Sequence, residues 1–174
     1  IREACSLTDN QFVILHIGGT GPSRNIETVI EALQFMDEKC VFVIQGPGIE
    51  TFESDYIDLA ERFGVAERVY CLPPVERDQV IETAASADCG IVMLKNLCLN
   101  FYYFYPNKFF EYMLAGLPVA CSNFPEVKAH TEREECGVTF DPSSPESIAE
   151  SIGVLSENRE RARDMGAKGR TSVI

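Results

Sequence analysis

Histidine is scarce in this chain: His16 and His130 are the only two. His16 stands inside an apolar run and His130 lies between Glu126 and Glu132. Neither sits in a Ser-His-Asp pattern or at a metal-ligand spacing, so triad hydrolysis and zinc chemistry lose their usual carriers. Positive charge is short as well. Fifteen Lys and Arg stand against 27 Asp and Glu, for a formal net charge of -12. That balance argues against binding a nucleic-acid backbone or an anionic membrane surface. A phosphate site, if there is one, has to be local, built from a few cations and backbone N–H groups. No apolar stretch has membrane-spanning length, and no internal repeat or low-complexity segment is visible. No Cys-x-x-Cys pair occurs among the seven cysteines, Cys5, Cys40, Cys71, Cys89, Cys98, Cys121 and Cys136. Several lie in apolar runs, as in Cys40-Val41-Phe42-Val43. They read as small buried hydrophobes in a reducing compartment, so a cytoplasmic location is expected.

What is present is an alternation. Short apolar runs at 12–17, 40–44, 69–72, 89–94, 119–121 and 137–140 read as strands. Helix-period segments at 26–35, 56–63, 77–87, 107–115, 145–155 and 157–167 lie among them. Strand, helix, strand repeated in this way predicts an α/β, Rossmann-like three-layer α/β/α sandwich with a mainly parallel sheet of about six strands. Ligands of such sheets bind at the carboxyl ends of the strands. The 174 residues suffice for one such domain, 1–174. Ile1 opens without Met and the last residues trail off after a helix, so the chain is expected to be an excised domain.

The most informative stretch runs from Pro106 to Val119. Asn107 reads as an N-cap, Gly116 as a left-handed helix stop, and Pro118 forbids continuation. A helix that starts with Lys108 and free backbone N–H groups is a natural anion site, and Glu111 lies one turn in, on the face of Asn107. A carboxylate behind a phosphate site suits the hydroxyls of a ribose or another sugar. Packing accounts for Phe109, Phe110, Met113 and Leu114; it does not require Lys108 or Glu111. Four weaker constellations fall at other strand ends. Gly18 to Asn25 carries glycines that admit a diphosphate and Arg24 to neutralise it, yet it matches neither the Gly-x-Gly-x-x-Gly fingerprint nor a P-loop. A plain turn with a surface arginine fits the same residues. Gly46-Pro47-Gly48 reads as a turn that leaves room for a flat ligand. Pro73-Pro74-Val75 reads first as a plain rigid connection; a stiff loop with exposed carbonyls can also read a base edge. The loop 96–106, with Tyr102, Tyr103 and Tyr105, offers rings and hydroxyls to a sugar or a plug to a further domain. Asp88 reads as a cap on the turn into the fourth strand.

Together these pieces resemble the group 1 (family 4) retaining glycosyltransferases over nearly the whole chain. The resemblance is carried by Gly18-Gly19…Arg24-Asn25-Ile26-Glu27, Gly46-Pro47-Gly48, Ala87-Asp88, the Pro106 to Val119 helix, Gly137-Val138 and Asp141-Pro142. It implies the C-terminal, nucleotide-sugar-binding domain of a GT-B enzyme, whose active site lies between two Rossmann-like domains. Glu111 is similar to the second Glu of the family's Glu-x7-Glu motif, the ribose ligand. Asn107, Lys108 and Phe109 match the helix start that receives the diphosphate. Arg24 matches the cationic position that neutralises it, and Val75 lies near where the base is read. Tyr103 stands where the first Glu of the motif would fall, and Gly19 where the family has an arginine. The resemblance further implies transfer with retention and no metal or other cofactor. The partners it implies are a nucleotide sugar and an N-terminal domain that holds the acceptor and any membrane contact. The fragment alone would then transfer nothing. A sugar-nucleotide epimerase shares this architecture but needs ionisable groups for elimination and readdition, and none stands near the cleft motifs. A degenerate, non-catalytic nucleotide-sugar-binding module is a third reading, supported by Tyr103 and Gly19.

Overall fold

In the computed structural model, which describes residues 1–103 and 105–174, six strands form one sheet. They are β1 (Phe12–Ile17), β2 (Cys40–Gln45), β3 (Val69–Leu72), β4 (Cys89–Val92), β5 (Val119–Ser122) and β6 (Gly137–Phe140). Their order is β3-β2-β1-β4-β5-β6 and every pairing is parallel. The chain leaves β1 outward through β2 to β3, then returns to the far side of β1 for β4, β5 and β6. The order therefore reverses between β1 and β4, where an open α/β sheet forms a crevice at its carboxyl edge. The β1–β4 ladder covers two residue pairs, Ile14↔Cys89 and Leu15↔Gly90, fewer than any other ladder in the sheet.

The helices among the described residues are α1 (Ile26–Ala32), α2 (Ile49–Arg62), α3 (Val80–Ala84), α4 (Leu99–Tyr102), α5 (Asn107–Leu114), α6 (Pro125–Glu134), α7 (Pro145–Ser156) and α8 (Arg159–Val173). They cover both faces of the sheet, which explains why β1 and β2 are buried at every position and read as unbroken apolar runs. Alternate β1 side chains divide between two cores. Phe12 and Ile14 pack with residues of α1, α2 and α7, while Val13, Leu15 and Ile17 pack with Ala84 of α3, Phe109, Tyr112 and Met113 of α5 and Val127 of α6. The three-layer architecture expected from the alternation is present, and the sheet is wholly parallel.

Several boundaries differ from the sequence expectation, each for a physical reason. Helix α2 begins at Ile49, seven residues before Tyr56, because the Gly46-Pro47-Gly48 turn leads straight into it. Its first turns are mostly exposed and acidic, so apolar spacing marks only the later part. The segment 77–87 splits into a 3-10 turn at Arg77–Gln79 and the short α3. Helix α6 carries only Val127 and Thr131 as buried residues, too few to give a helical period. Loop 96–106 contains α4, and Phe104 within it lies outside the described residues. The N-cap of α5 is Pro106, in extended conformation, and no side chain caps the helix. Asn107 is its first helical residue, because the proline already sets the extended entry that an Asn cap would supply. Gly116 does take the left-handed conformation after the helix, at φ 76°.

Candidate functional site

A cavity of about 230 Å³ opens where β1 and β4 part. Its wall on the β1 side holds His16, Gly19 and Arg24; its far wall is the end of β4 with Pro106, Asn107 and Lys108. Four of the residues expected from sequence, Gly19, Arg24, Asn107 and Lys108, thus line one crevice at the carboxyl edge of the sheet. Local structure explains how they meet. Pro22–Arg24 is a 3-10 turn that presents Arg24, and Asn25 behind it closes the turn in the left-handed conformation at φ 58°. Asn tolerates that conformation better than most residues. The Asn25 side chain is buried. It donates to the Pro142 carbonyl at 2.7 Å and accepts from the Thr28 hydroxyl at 2.9 Å.

Lys108 crosses from the first turn of α5 to the β1 side. Gly18, at φ 145°, has no side chain in its way; a Cβ there would overlap the lysine stem. The Lys108 ammonium meets the Glu111 carboxylate at 3.2 Å, both side chains being about 30% exposed. A Cβ on Gly19 would lie 4.0 Å from the Arg24 guanidinium, so Arg24 reaches ground that a longer side chain at 19 would approach.

His16 sits in the floor of the crevice. Its Nε2 faces the Gly19 carbonyl at 3.2 Å, an oxygen that only accepts, so Nε2 carries the proton. The ring is neutral: its pKa is brought down to about 4, chiefly by burial, with the Gly19 bond opposing the shift and the Lys108 and Arg24 charges adding to it. Nδ1 is then a bare acceptor, buried and without a partner among the described residues.

The remaining expected residues take other places. Glu111 reaches the crevice through its ion pair with Lys108. Phe109 is fully buried, and its amide donates to the Pro106 carbonyl at 3.0 Å. The earlier amides, of Asn107 and Lys108, are therefore the ones left without an intrahelical acceptor. Gly46 abuts the Gly18 backbone, which fills the space a side chain would take. Val75 packs against the core on the α3 and α5 side. Tyr103 is 55% exposed and stands edge-on to Tyr102 at 5.0 Å between centroids. Gly46, Val75 and Tyr103 are not among the residues that line the crevice. Sequence reasoning named Asn25 without giving it a role and missed the pair Gly90–Tyr112; a glycine inside a strand marks close approach of another group and was a usable signal for that pair. Among the described residues no three His, Cys, Asp or Glu side chains cluster to hold a metal ion, and no helix is long and apolar enough to cross a membrane.

Known proteins resemble this arrangement. The sequence profile described as Glycosyl transferases group 1 matches residues 1–172. The D-inositol 3-phosphate glycosyltransferase of Xylanimonas cellulosilytica is 25% identical over 166 residues, covering 94% of this chain and 38% of its own length. In fold, the chain superposes on the Anabaena protein Alr3699/HepE in complex with UDP and glucose, with a TM-score of 0.82 at 17% identity. That match covers 99% of this chain and 46% of the other. The sucrose-phosphate synthase of Thermosynechococcus elongatus gives a TM-score of 0.81 at 20% identity, over 99% of this chain and 43% of that one. The chain thus spans less than half the length of each of these relatives. With the profile matched from end to end of the sheet, this chain belongs to the group 1 glycosyltransferases.

Proposed function

We propose that this domain binds the nucleotide-diphosphate sugar donor of a retaining glycosyl transfer, in the crevice between the β1 loop and the start of α5. The observation that carries the reading is the meeting of Arg24, Lys108 and the first amides of α5 around one cavity in a chain of net charge -12. In this reading the diphosphate lies between Arg24 and Lys108, and the N-terminus of α5 adds its partial positive charge. Charge that develops on the leaving diphosphate is stabilised by groups already in place. No metal ion is required for that task, because cationic side chains and helix amides supply the field. The Lys108–Glu111 pair is part-exposed and worth only about 0.5 kcal/mol, so a diphosphate readily draws the ammonium away. The freed Glu111 oxygens then accept from ribose hydroxyls. The acceptor attacks on the face the diphosphate leaves, which retains the anomeric configuration. A further, N-terminal domain holds that acceptor and any membrane contact, and the protein works in the cytoplasm.

Titration of UDP, GDP and ADP into the protein tests the site. One of them is expected to bind, and Lys108→Ala and Glu111→Ala should each weaken it by about 1–3 kcal/mol. Unchanged affinity in both variants removes the site. The full-length enzyme incubated with a nucleotide sugar and no acceptor tests the class: epimerised donor would favour an epimerase over a transferase.

A further inference from the structure

Tyr112 is fully buried on α5, one helical turn beyond Lys108 and on the same face. Its ring lies against Gly90 of β4, where any Cβ would overlap it. Its hydroxyl reaches past β4 to β1, accepting from the Ile17 amide at 3.0 Å and donating to the Leu15 carbonyl at 3.0 Å. Those two backbone groups lie just where the β1–β4 ladder ends, at Leu15↔Gly90. Beyond Gly90, β4 continues only alongside β5. Without the phenol, the Ile17 N–H, which lies beyond the last β1–β4 pair, would be buried and unpaired.

We infer that Tyr112 is the positioning residue that sets the width of the crevice, holding the first turn of α5 at a fixed height over Gly18. The inference rests on the donor-site reading above. One side chain performs two tasks. Its ring wedges α5 against β4, and its hydroxyl takes the Ile17 amide that β4 no longer pairs while adding a bond to the Leu15 carbonyl. Because Lys108 and Tyr112 share a helix face, the hydroxyl fixes where the lysine crosses Gly18. Loss of the hydroxyl lets β1 and α5 shift relative to each other. The groups that suffer most are those facing the diphosphate, Lys108 and the amides of Asn107 and Lys108.

The test compares a nucleoside diphosphate with its parent nucleoside, at a temperature where all variants are folded. UDP, GDP and ADP are titrated first to find the one that binds. In Tyr112→Phe its Kd is expected to rise about tenfold, the equivalent of the hydrogen bonds lost. The Kd of the parent nucleoside is expected to change less than about twofold on the same reasoning. Gly90→Ala displaces the ring from the other side and should give the same selective loss; it carries the test if the phenylalanine variant does not fold. Unchanged diphosphate affinity, or equal loss for nucleoside and diphosphate, overturns the inference and leaves the site standing. If the unaltered protein binds none of the three diphosphates, the donor-site reading fails and the inference falls with it.

Discussion

Both ends of the sheet carry arginine or lysine beside a carboxylate, and the two ends use them differently. At the amino end, Arg2 and Arg159 converge on Asp88. Arg2 also donates to the Thr8 carbonyl at 2.9 Å, and Arg159 to the carbonyls of Asn10 and Gln11 at 2.9 and 2.8 Å. Asp88 in turn accepts from the Val13 amide at 2.7 Å. A cavity of about 580 Å³ lies over this cluster, more than twice the volume of the crevice at the carboxyl end. Its two central arginines are nevertheless engaged by the chain's own acceptors. At the carboxyl end Arg24 has no ion pair among the described residues, Lys108 has one weak pair, and His16 keeps an unpaired nitrogen. Cavity volume alone would choose the amino end. Unused hydrogen-bonding capacity instead makes the carboxyl end the candidate for a ligand.

The largest expected effect breaks the amino-end cluster. Asp88→Ala leaves two guanidinium groups and the Val13 amide short of a partner, and should lower unfolding stability by about 4 kcal/mol. Urea denaturation reads the loss, and nucleotide affinity of the folded variant should stay as it was. Weakened nucleotide binding in that variant would erase the distinction between the ends.

His16 sharpens the comparison from the other side, since a buried imidazole with an unpaired nitrogen costs stability under acid. Its folded-state pKa, about 4, lies below the ordinary 6.5. The unfolded chain therefore binds more protons between those values, and stability is lost as pH falls through that window. The loss attributable to His16 is about 3 kcal/mol by pH 4. His16→Asn should show a flatter stability profile between pH 6.5 and 4; an identical slope would place the acid sensitivity elsewhere.

Lys108→Ala should do the opposite of the Asp88 substitution. It is expected to weaken nucleoside diphosphate binding by about 2 kcal/mol with the melting temperature nearly unmoved. Because Lys108 is part-exposed, the binding it supports should also decline with added salt. A variant that melts early yet binds normally would make the carboxyl end structural too. The smallest effect concerns Asn107. With Pro106 as the cap and no side-chain cap bond, Asn107→Ala should change stability by less than about 0.5 kcal/mol, whereas an Asn that capped would cost about 1.

Most of the architecture could be read from the sequence, because a parallel sheet covered on both faces leaves unbroken apolar runs such as Phe12–Ile17 and Cys40–Gln45. The helices that escaped notice are those whose buried face is thin, α6 above all, and the acidic first turns of α2. Half of the crevice was legible for a local reason. Arg24, Lys108 and Glu111 are charges at strand ends that packing does not need. Gly46, by contrast, was expected to leave space for a ligand, and that space is taken by the neighbouring loop. Asn25 and Tyr112 act across long sequence separations, on Pro142 and on β1; Gly90 inside β4 hints that a group approaches there, but no local pattern says which.

The sheet order also bears on how the protein folds. Strands β1 to β3 are contiguous in the chain, and so are β4 to β6; the two groups meet only along the two-pair β1–β4 seam. The crevice lies at that seam, so neither half of the chain contains it. Closing the seam carries the loop entropy of pairing Ile14 with Cys89, a long-range contact of the slow kind. A molecule bound across the seam favours only the joined state. A ligand would thus fasten the two halves of the sheet together and protect the central β1–β4 join from opening.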